Sequence, residues 1–179
     1  MRKIVVYELL SLDGVAERPD KFLTDWDDAV VTANMSAVID TQDAVILGRR
    51  SYDEWARHWP ESTIEPYATF INAVAKFVVT STPLDREWAN AHVVEGGLIE
   101  FVRELQNQPG GDIGVHASIS VAQALLAAGV VDELKLVIAA TIAGSGRRLL
   151  DELPAQRLES IRSATSPTGK LLVDYRIIR

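Results

Sequence analysis

Short and almost continuous apolar runs are the main feature of the first two thirds of the chain. Ile4 to Leu10 is apolar except for Glu8, and Ala44 to Leu47 and Phe77 to Thr80 are shorter runs of a similar kind. Runs of this length without alternation are typical of strands that are covered on both faces of a sheet. Two further short strands are predicted at residues 92–94 and 113–115.

Helical spacing separates these predicted strands. Val31, Met35 and Val38 form an apolar stripe that predicts a helix over Asp25 to Asp40. Ser118 has the chemistry of a helix N-cap. Further helices are predicted from Ser51 onward, over Leu98 to Gln106, and over Ile119 to Ala128 with Gly129 as the terminator.

The last third of the chain has strands without long helices between them. Glu133 to Ala143 is predicted as a long strand, and it leads into Gly144 to Arg148, which is typical of a hairpin or bulge turn. Lys170 to Ile178 is predicted as the closing strand. Early strand–helix alternation indicates a mainly parallel sheet, and the closing strands indicate antiparallel additions at its edge. We therefore predict one α/β domain over residues 1–179.

Composition excludes several classes of function. The net charge of −7 argues against a general nucleic-acid surface, and the absence of cysteine excludes disulfides and thiolate chemistry. The three histidines, His58, His92 and His116, show no metal-binding spacing, so we expect no metal site. No apolar stretch approaches the roughly 18 residues that span a bilayer, and Glu8 interrupts the N-terminal apolar run. We expect a cytoplasmic protein.

Candidate chemistry is concentrated where the predicted strands end. Gly48 breaks an apolar run and is followed by Arg49, Arg50 and Ser51. Glycine turns with cations at a strand end, and free N–H groups at a helix start such as that after Ser118, are typical of phosphate binding. Our hypothesis is a grip on the phosphates of a nucleotide cofactor. The alternative is an ordinary strand-to-helix connection with solvated arginines.

Three acidic residues each have two interpretations. Glu8 lies within an apolar strand, so its carboxylate needs a partner or a proton, and it is either a structural hydrogen-bonding group or part of a ligand site. Asp27 and Asp28 fall in the first turn of the first predicted helix. They either cap that helix or place one carboxylate in a ligand cleft.

In order along the chain, these motifs resemble the dihydrofolate reductase-like family. The resemblance is specific to the C-terminal reductase domain of the bacterial riboflavin-biosynthesis deaminase-reductase and its stand-alone relatives. It covers most of the chain and rests on Ser11–Gly14, Leu47–Tyr52, Trp59–Pro60, Asn72, Lys76–Thr82, Trp88, Asp112–Ser118, Val131–Leu134 and Gly144–Gly146.

The resemblance implies a three-layer dihydrofolate reductase-like fold and a nicotinamide-dependent reductase that uses NADPH. It implies a catalytic carboxylate at Asp27, a substrate-side wall at Trp55, and a cation for the substrate phosphate at Arg147. We also expect a homodimer. The residues implied in cofactor binding are Leu9, Ser11, Gly48, Arg49, Arg50, Ser51, Thr80, Ser81, Thr82, His116, Ala117, Ser118, Ile119 and Ser120.

The implied substrate is 5-amino-6-(5-phosphoribosylamino)uracil, an intermediate of riboflavin biosynthesis. Dihydrofolate is the second candidate, and a non-catalytic nucleotide-binding protein on the same fold is the rival interpretation. Two departures bear on the choice: relatives commonly have glycine in place of Ala117, and many have Pro-Val near Ala140 to Ala143.

Overall fold

A single eight-stranded sheet forms the middle layer of the protein, and the computed structural model describes all 179 residues. The strands are β1 (Ile4–Leu10), β2 (Gln42–Gly48), β3 (Ala75–Val79), β4 (Ala91–Val93), β5 (Asp112–His116), β6 (Glu133–Ile138), β7 (Arg157–Thr165) and β8 (Leu171–Ile178). Their order is β4-β3-β2-β5-β1-β6-β8-β7. The first six pair in parallel, and β8 and β7 are added antiparallel.

Helices cover both faces of the sheet. The helices are α1 (Ala29–Ile39), α2 (Arg49–His58), α3 (Tyr67–Ala73), α4 (Leu98–Gln106) and α5 (Ile119–Ala127), with 3-10 turns at Pro19–Lys21 and Trp59–Glu61. One face packs against α4 and α5, and the other packs against α1, α2 and α3. None of the helices has both the length and the apolar character that crossing a bilayer requires. The predicted mainly parallel α/β sheet with antiparallel C-terminal strands is confirmed.

Strand β1 lies inside the parallel part, between β5 and β6. Ile4, Val6 and Leu10 belong to the core shared with α5, whereas Tyr7 belongs to the core beneath α1. Both faces are therefore covered, as the uninterrupted apolar run predicts.

Two predicted boundaries are wrong. Helix α1 begins at Ala29 and not at Asp25, because the extended Asp28 is its N-cap and accepts hydrogen bonds from the Val30 and Val31 amides. Strand β6 ends at Ile138 and not at Ala143, because the following segment leaves the sheet.

The predicted hairpin at Gly144 to Arg148 is also wrong. Residues 139–148 run beside the loop after β1 instead: Leu12 N donates to Thr141 O at 2.8 Å, and Ala16 N donates to Arg147 O at 2.9 Å. Strand β7 and helix α3 were not anticipated as separate elements. Strand β7 is exposed along almost its whole length, so it lacks the apolar run that marks the other strands.

Candidate functional site

The carboxyl ends of the parallel strands meet at one edge of the sheet, which we call the carboxyl edge. It consists of residues 11–17, 48–51, 80–82, 117–120 and 139–148. Ligands of open α/β sheets bind at such an edge, because helix N-termini and loops converge there. All the residues implied in cofactor binding except Leu9 and His116 lie within this carboxyl edge.

Two hydrogen bonds join the loops after β2 and β5. Gly48 N donates to Ser118 Oγ at 2.9 Å, and Ser51 Oγ donates to Ala117 O at 2.6 Å. Ser118 is the N-cap of α5, as predicted, but its hydroxyl serves Gly48 and not the amides of its own helix. Gly48 precedes α2 and likewise offers no side-chain cap. Two helix N-termini without side-chain caps therefore lie side by side, which suits an anion.

Helix α5 packs closely against the end of β2. A Cβ placed on Gly48 would lie 3.4 Å from Val121 Cγ2 and 3.9 Å from Ser118 Oγ, which are ordinary van der Waals contacts. Packing at this junction therefore does not by itself require glycine at position 48.

Ala117 has a left-handed backbone, with φ of 48°. Glycine adopts this conformation without strain, whereas a Cβ makes it costly for alanine. The structure thus gives a physical reason to expect that glycine is favoured over alanine at this position.

Replacing Ala117 with glycine is expected to raise the free energy of unfolding by about 0.5–1 kcal/mol, because relief of left-handed strain exceeds the added entropy of the unfolded chain. Urea denaturation measures this. Ala127→Gly, in the exposed end of α5 where the backbone is helical, should lower stability by about 1 kcal/mol. A less stable Ala117→Gly variant would contradict the strain at this position.

Arg49 fastens the start of α2 to the loop after β3. Its guanidinium donates to Asp53 at 2.8 Å, to Thr82 Oγ1 at 2.6 Å, to Pro83 O at 2.6 Å and to Asp85 at 2.6 Å. The hydrogen bond to Asp53 is the main cause that raises the pKa of Arg49. The Asp85 side chain is 85% exposed, so a stronger anion can displace it at little cost.

Glu17 links Arg50, in the first turn of α2, to Arg147 in the segment after β6. It accepts from Arg50 Nη1 at 3.2 Å and from Arg147 N at 3.2 Å, and the Arg147 amide is the main cause that lowers its pKa. The Arg147 guanidinium donates to Ser120 Oγ at 2.9 Å. Arg147, which the resemblance implies on the substrate side, therefore contacts the first turn of α5.

Asp13 holds the loop after β1 against the segment after β6. It accepts from Ser11 Oγ at 2.7 Å and from the amides of Ala143 and Gly144, each at 2.9 Å. These bonds, with Ser11 first, lower the pKa of Asp13 to about 2. Ser11 is buried, so its side chain has a structural role within the loop. A cleft of 350 Å³ adjoins this clamp and is lined by Glu17, Arg18, Lys21, Phe22, Thr141, Ile142, Ala143, Ser145 and Gly146.

The three candidate acids have different environments. Asp28 is buried, caps α1, and accepts a hydrogen bond from Thr168, which with Ser166 lowers its pKa to about 2. Asp27 is exposed in the loop before α1. Glu8 is buried on the α5 side of the sheet. The Asp28 side chain therefore has a structural role. Asp27 and Glu8 are the two candidate acids without an ion pair.

The side chain of His116 points into the core and not toward the carboxyl edge. Its Nδ1 lies 2.7 Å from Tyr67 Oη, and its Nε2 lies 2.9 Å from Gln42 Oε1. Burial lowers the pKa of His116 to about 3, so the ring is neutral. Only the backbone at this position can face a ligand bound at the edge.

Trp55 belongs to an aromatic cluster on the α2 side of the sheet. Its ring makes edge contacts with Trp59 at 5.7 Å and Tyr67 at 5.9 Å between centroids. Leu9 is partly buried against the cores beneath α1 and the 15–23 loop. Both residues thus lie on the sheet face opposite α5.

The acidic partners of the arginines were missed in the sequence. Asp53 lies four residues after Arg49, a spacing that favours an ion pair within a helix, so this pair could have been predicted from the sequence. Asp85 and Glu17 are separated from their partners by more than 30 residues. Only the fold brings them together.

Comparison with known proteins agrees with this geometry. The family model described as the RibD C-terminal domain matches residues 2–172. The uncharacterized protein YyaP of Bacillus subtilis (strain 168) is 23% identical in an alignment of 179 positions that covers 97% of this chain and 94% of that protein.

Solved structures show the same fold at low identity. A putative riboflavin biosynthesis protein from Shewanella sp. PV-4 has a TM-score of 0.77 at 20% identity, with 99% of each chain covered. A pyrimidine reductase-like protein from Corynebacterium diphtheriae has a TM-score of 0.65 at 13% identity, over 99% of this chain and 92% of that one.

A bifunctional enzyme gives a third comparison. The diaminohydroxyphosphoribosylaminopyrimidine deaminase/5-amino-6-(5-phosphoribosylamino)uracil reductase of Thermotoga maritima has a TM-score of 0.71 at 13% identity. The match covers 99% of this chain but 57% of the Thermotoga chain. Together the comparisons confirm the resemblance and the fold class predicted from the sequence.

Proposed function

The chain belongs to the RibD C-terminal domain family, and from that premise we propose that it is an NADPH-dependent reductase of the riboflavin pathway. The proposed substrate is 5-amino-6-(5-phosphoribosylamino)uracil, and dihydrofolate is the second candidate. The bound nicotinamide would supply the hydride, and the protein would supply binding, orientation and a proton.

The junction of α2 and α5 carries this proposal. Ser118 Oγ accepts from Gly48 N, so neither helix start uses a serine hydroxyl as its own cap. The amides of residues 118–120 would bind the cofactor pyrophosphate, and Arg147, fixed at Ser120, would add positive charge. This donor set fits a nucleotide diphosphate without rearrangement of the sheet.

The loop after β3 is the proposed site for the adenosine end. Arg49 already contacts Thr82 there, and Thr80 Oγ1 accepts from Thr82 N at 3.1 Å. A ribose 2′-phosphate would replace the exposed Asp85 as the partner of Arg49, because a phosphate accepts stronger charge-assisted bonds. Ser81 lies in the same loop, whereas Arg50 pairs with Glu17 and Glu54. NADPH would then be preferred to NADH.

The substrate would lie on the face opposite α5, where Leu9 and Trp55 are found. Asp27 is the proposed proton source, acting directly or through a water, because it precedes α1 and has no ion pair in the structure. Its role is to protonate or orient the group that receives the hydride.

Arg49→Ala is expected to weaken NADPH binding by about 10- to 100-fold and NADH binding by less than threefold, since only NADPH carries the 2′-phosphate. Fluorescence titration of both cofactors measures this. The matched change Asp85→Asn should strengthen NADPH binding, because the competing carboxylate is lost. Equal weakening of both cofactors by Arg49→Ala would show that Arg49 does not read the 2′-phosphate.

Turnover separates the enzyme from a nucleotide-binding protein without activity. Purified protein is incubated with NADPH and with each of the two substrates, and loss of absorbance at the nicotinamide band is followed. Oxidation with the aminouracil substrate alone is expected. Tight NADPH binding without oxidation by either substrate would support the non-catalytic alternative, and absence of binding would contradict the proposed function.

A further inference from the structure

Glu8 lies beneath the first turn of α5. Side chains alternate along a strand, and its neighbours at i±2, Val6 and Leu10, pack in the core shared with α5. Glu8 pairs in register with Leu136 of β6, which belongs to the same core. It is 5% exposed. The carboxyl group is therefore enclosed between the sheet and the helix.

The polar group next to Glu8 is the start of α5. Oε1 of Glu8 is buried without a hydrogen-bond partner, and the Ser118 backbone amide is the group that lowers the pKa of the carboxyl group against the effect of burial. An unpaired and buried carboxyl oxygen is rare and costly. Here it occurs at the helix start that the proposed function assigns to the pyrophosphate.

No charged side chain faces Glu8 from the surrounding elements. Helix α5 contains no titratable residue. In β6, Glu133 and Lys135 pair with Val5 and Tyr7 and so point to the opposite face. The titratable groups that interact electrostatically with Glu8 are the phenols of Tyr7 and Tyr67 on the opposite face of the sheet, and both are neutral because burial raises their pKa values. The cation that contacts this turn of α5 is Arg147, bonded to Ser120.

Burial without a cation favours the uncharged acid. It raises the pKa of Glu8 to about 8, and the Ser118 amide opposes this rise only in part. Glu8 is thus neutral at physiological pH, and it becomes an anion within the mildly alkaline range.

We propose that Glu8 controls cofactor affinity from beneath the pyrophosphate site. As a neutral acid it leaves the positive end of α5, including the Ser118 amide, to the pyrophosphate; as an anion it competes for that same end. The inference rests on the proposed function, because it takes residues 118–120 as the pyrophosphate site.

The thermodynamic linkage between proton binding and cofactor binding determines how the cofactor dissociation constant depends on pH. If the cofactor binds the protonated protein, the dissociation constant is independent of Glu8 at pH values well below 8, and it rises by up to tenfold per pH unit above that value. Cofactor binding in turn favours uptake of a proton by Glu8.

The test is the NADPH dissociation constant at pH 7.0 to 9.5 for the wild type, Glu8→Gln and Glu133→Gln. The wild-type constant should rise about 30-fold over this range, and Glu8→Gln, a neutral isostere, should show a flat profile. Glu133 is equally buried but lies at the opposite end of its strand, paired with Lys3, so Glu133→Gln should keep the wild-type profile. Lys76 also titrates in this range, but all three proteins contain it.

The outcomes distinguish the two proposals. A flat wild-type profile with measurable NADPH binding overturns the role of Glu8 and leaves the proposed function standing, whether or not Glu8→Gln folds. The same steep profile in Glu8→Gln as in the wild type also overturns it. Absence of NADPH binding at every pH overturns the proposed function and this inference together.

Discussion

Replacement of Lys76 with alanine is expected to lower the free energy of unfolding by about 4 kcal/mol, or the melting temperature by about 10 °C. Lys76 is 0% exposed. Its Nζ donates to Ile71 O at 2.7 Å and Val74 O at 2.8 Å, and it lies 4.6 Å from the Trp88 ring centroid. Truncation leaves a cavity and strands the carbonyls at the end of α3 without donors.

Lys76→Met separates packing from hydrogen bonding, because it fills the cavity but donates nothing. It should cost less than Lys76→Ala at neutral pH, since it also removes the burial of a charge. Burial lowers the pKa of Lys76 to about 8, below its unfolded value of 10.5. Wild-type stability should therefore rise between pH 8 and 10.5 relative to Lys76→Met. A melting temperature of Lys76→Ala within 2 °C of the wild type would contradict this role.

Asp27→Asn is expected to lower kcat for the reductase reaction by about 100-fold and to leave the melting temperature unchanged. The reason is that Asp27 is exposed and does not cap or contact a helix or strand, so its replacement removes a proton donor but no structural contact. Steady-state kinetics with NADPH, together with thermal unfolding, measures both quantities.

Asp28→Asn is the matched control for Asp27. Asp28 caps α1 and is joined to Thr168 and Lys170 of the β7–β8 turn, so the change should lower the melting temperature while kcat stays within a few-fold of the wild type. The reverse pattern, with kcat lost in Asp28→Asn and kept in Asp27→Asn, would assign the acid to Asp28.

The parallel part of the fold was predictable because its signals are local. Strand β1 is covered on both faces and is therefore recognisable in the sequence as an apolar run. Both ends of α4 are predicted to the residue from its periodicity and the glycine that precedes it. The end of β6 and the course of residues 139–148 were mispredicted, because they depend on Asp13 and on backbone bonds to the loop after β1. Such long-range contacts leave no pattern in the segment itself.

For the candidate site, the positions of the residues were more predictable from the sequence than their hydrogen bonds and ion pairs. Ser118 was placed correctly at the start of α5, yet its hydroxyl bonds Gly48, which is 70 residues away. Arg49 was expected to be free for a phosphate, and it is held by Asp53 and Asp85. Glu8 was recognised as a buried acid in need of a partner, but only the packing of α5 shows that one oxygen has none.

A crystal structure of the protein with bound NADPH tests the central claim most directly. The pyrophosphate should lie within hydrogen-bonding distance of the amides of residues 118–120, with the 2′-phosphate against Arg49 in place of Asp85 and the nicotinamide on the Leu9 side of β1. Binding instead in a separate cleft on the outer side of α5, lined by Gln123, Ala127, Arg148 and Leu153 among others, or no binding at all, would contradict the account.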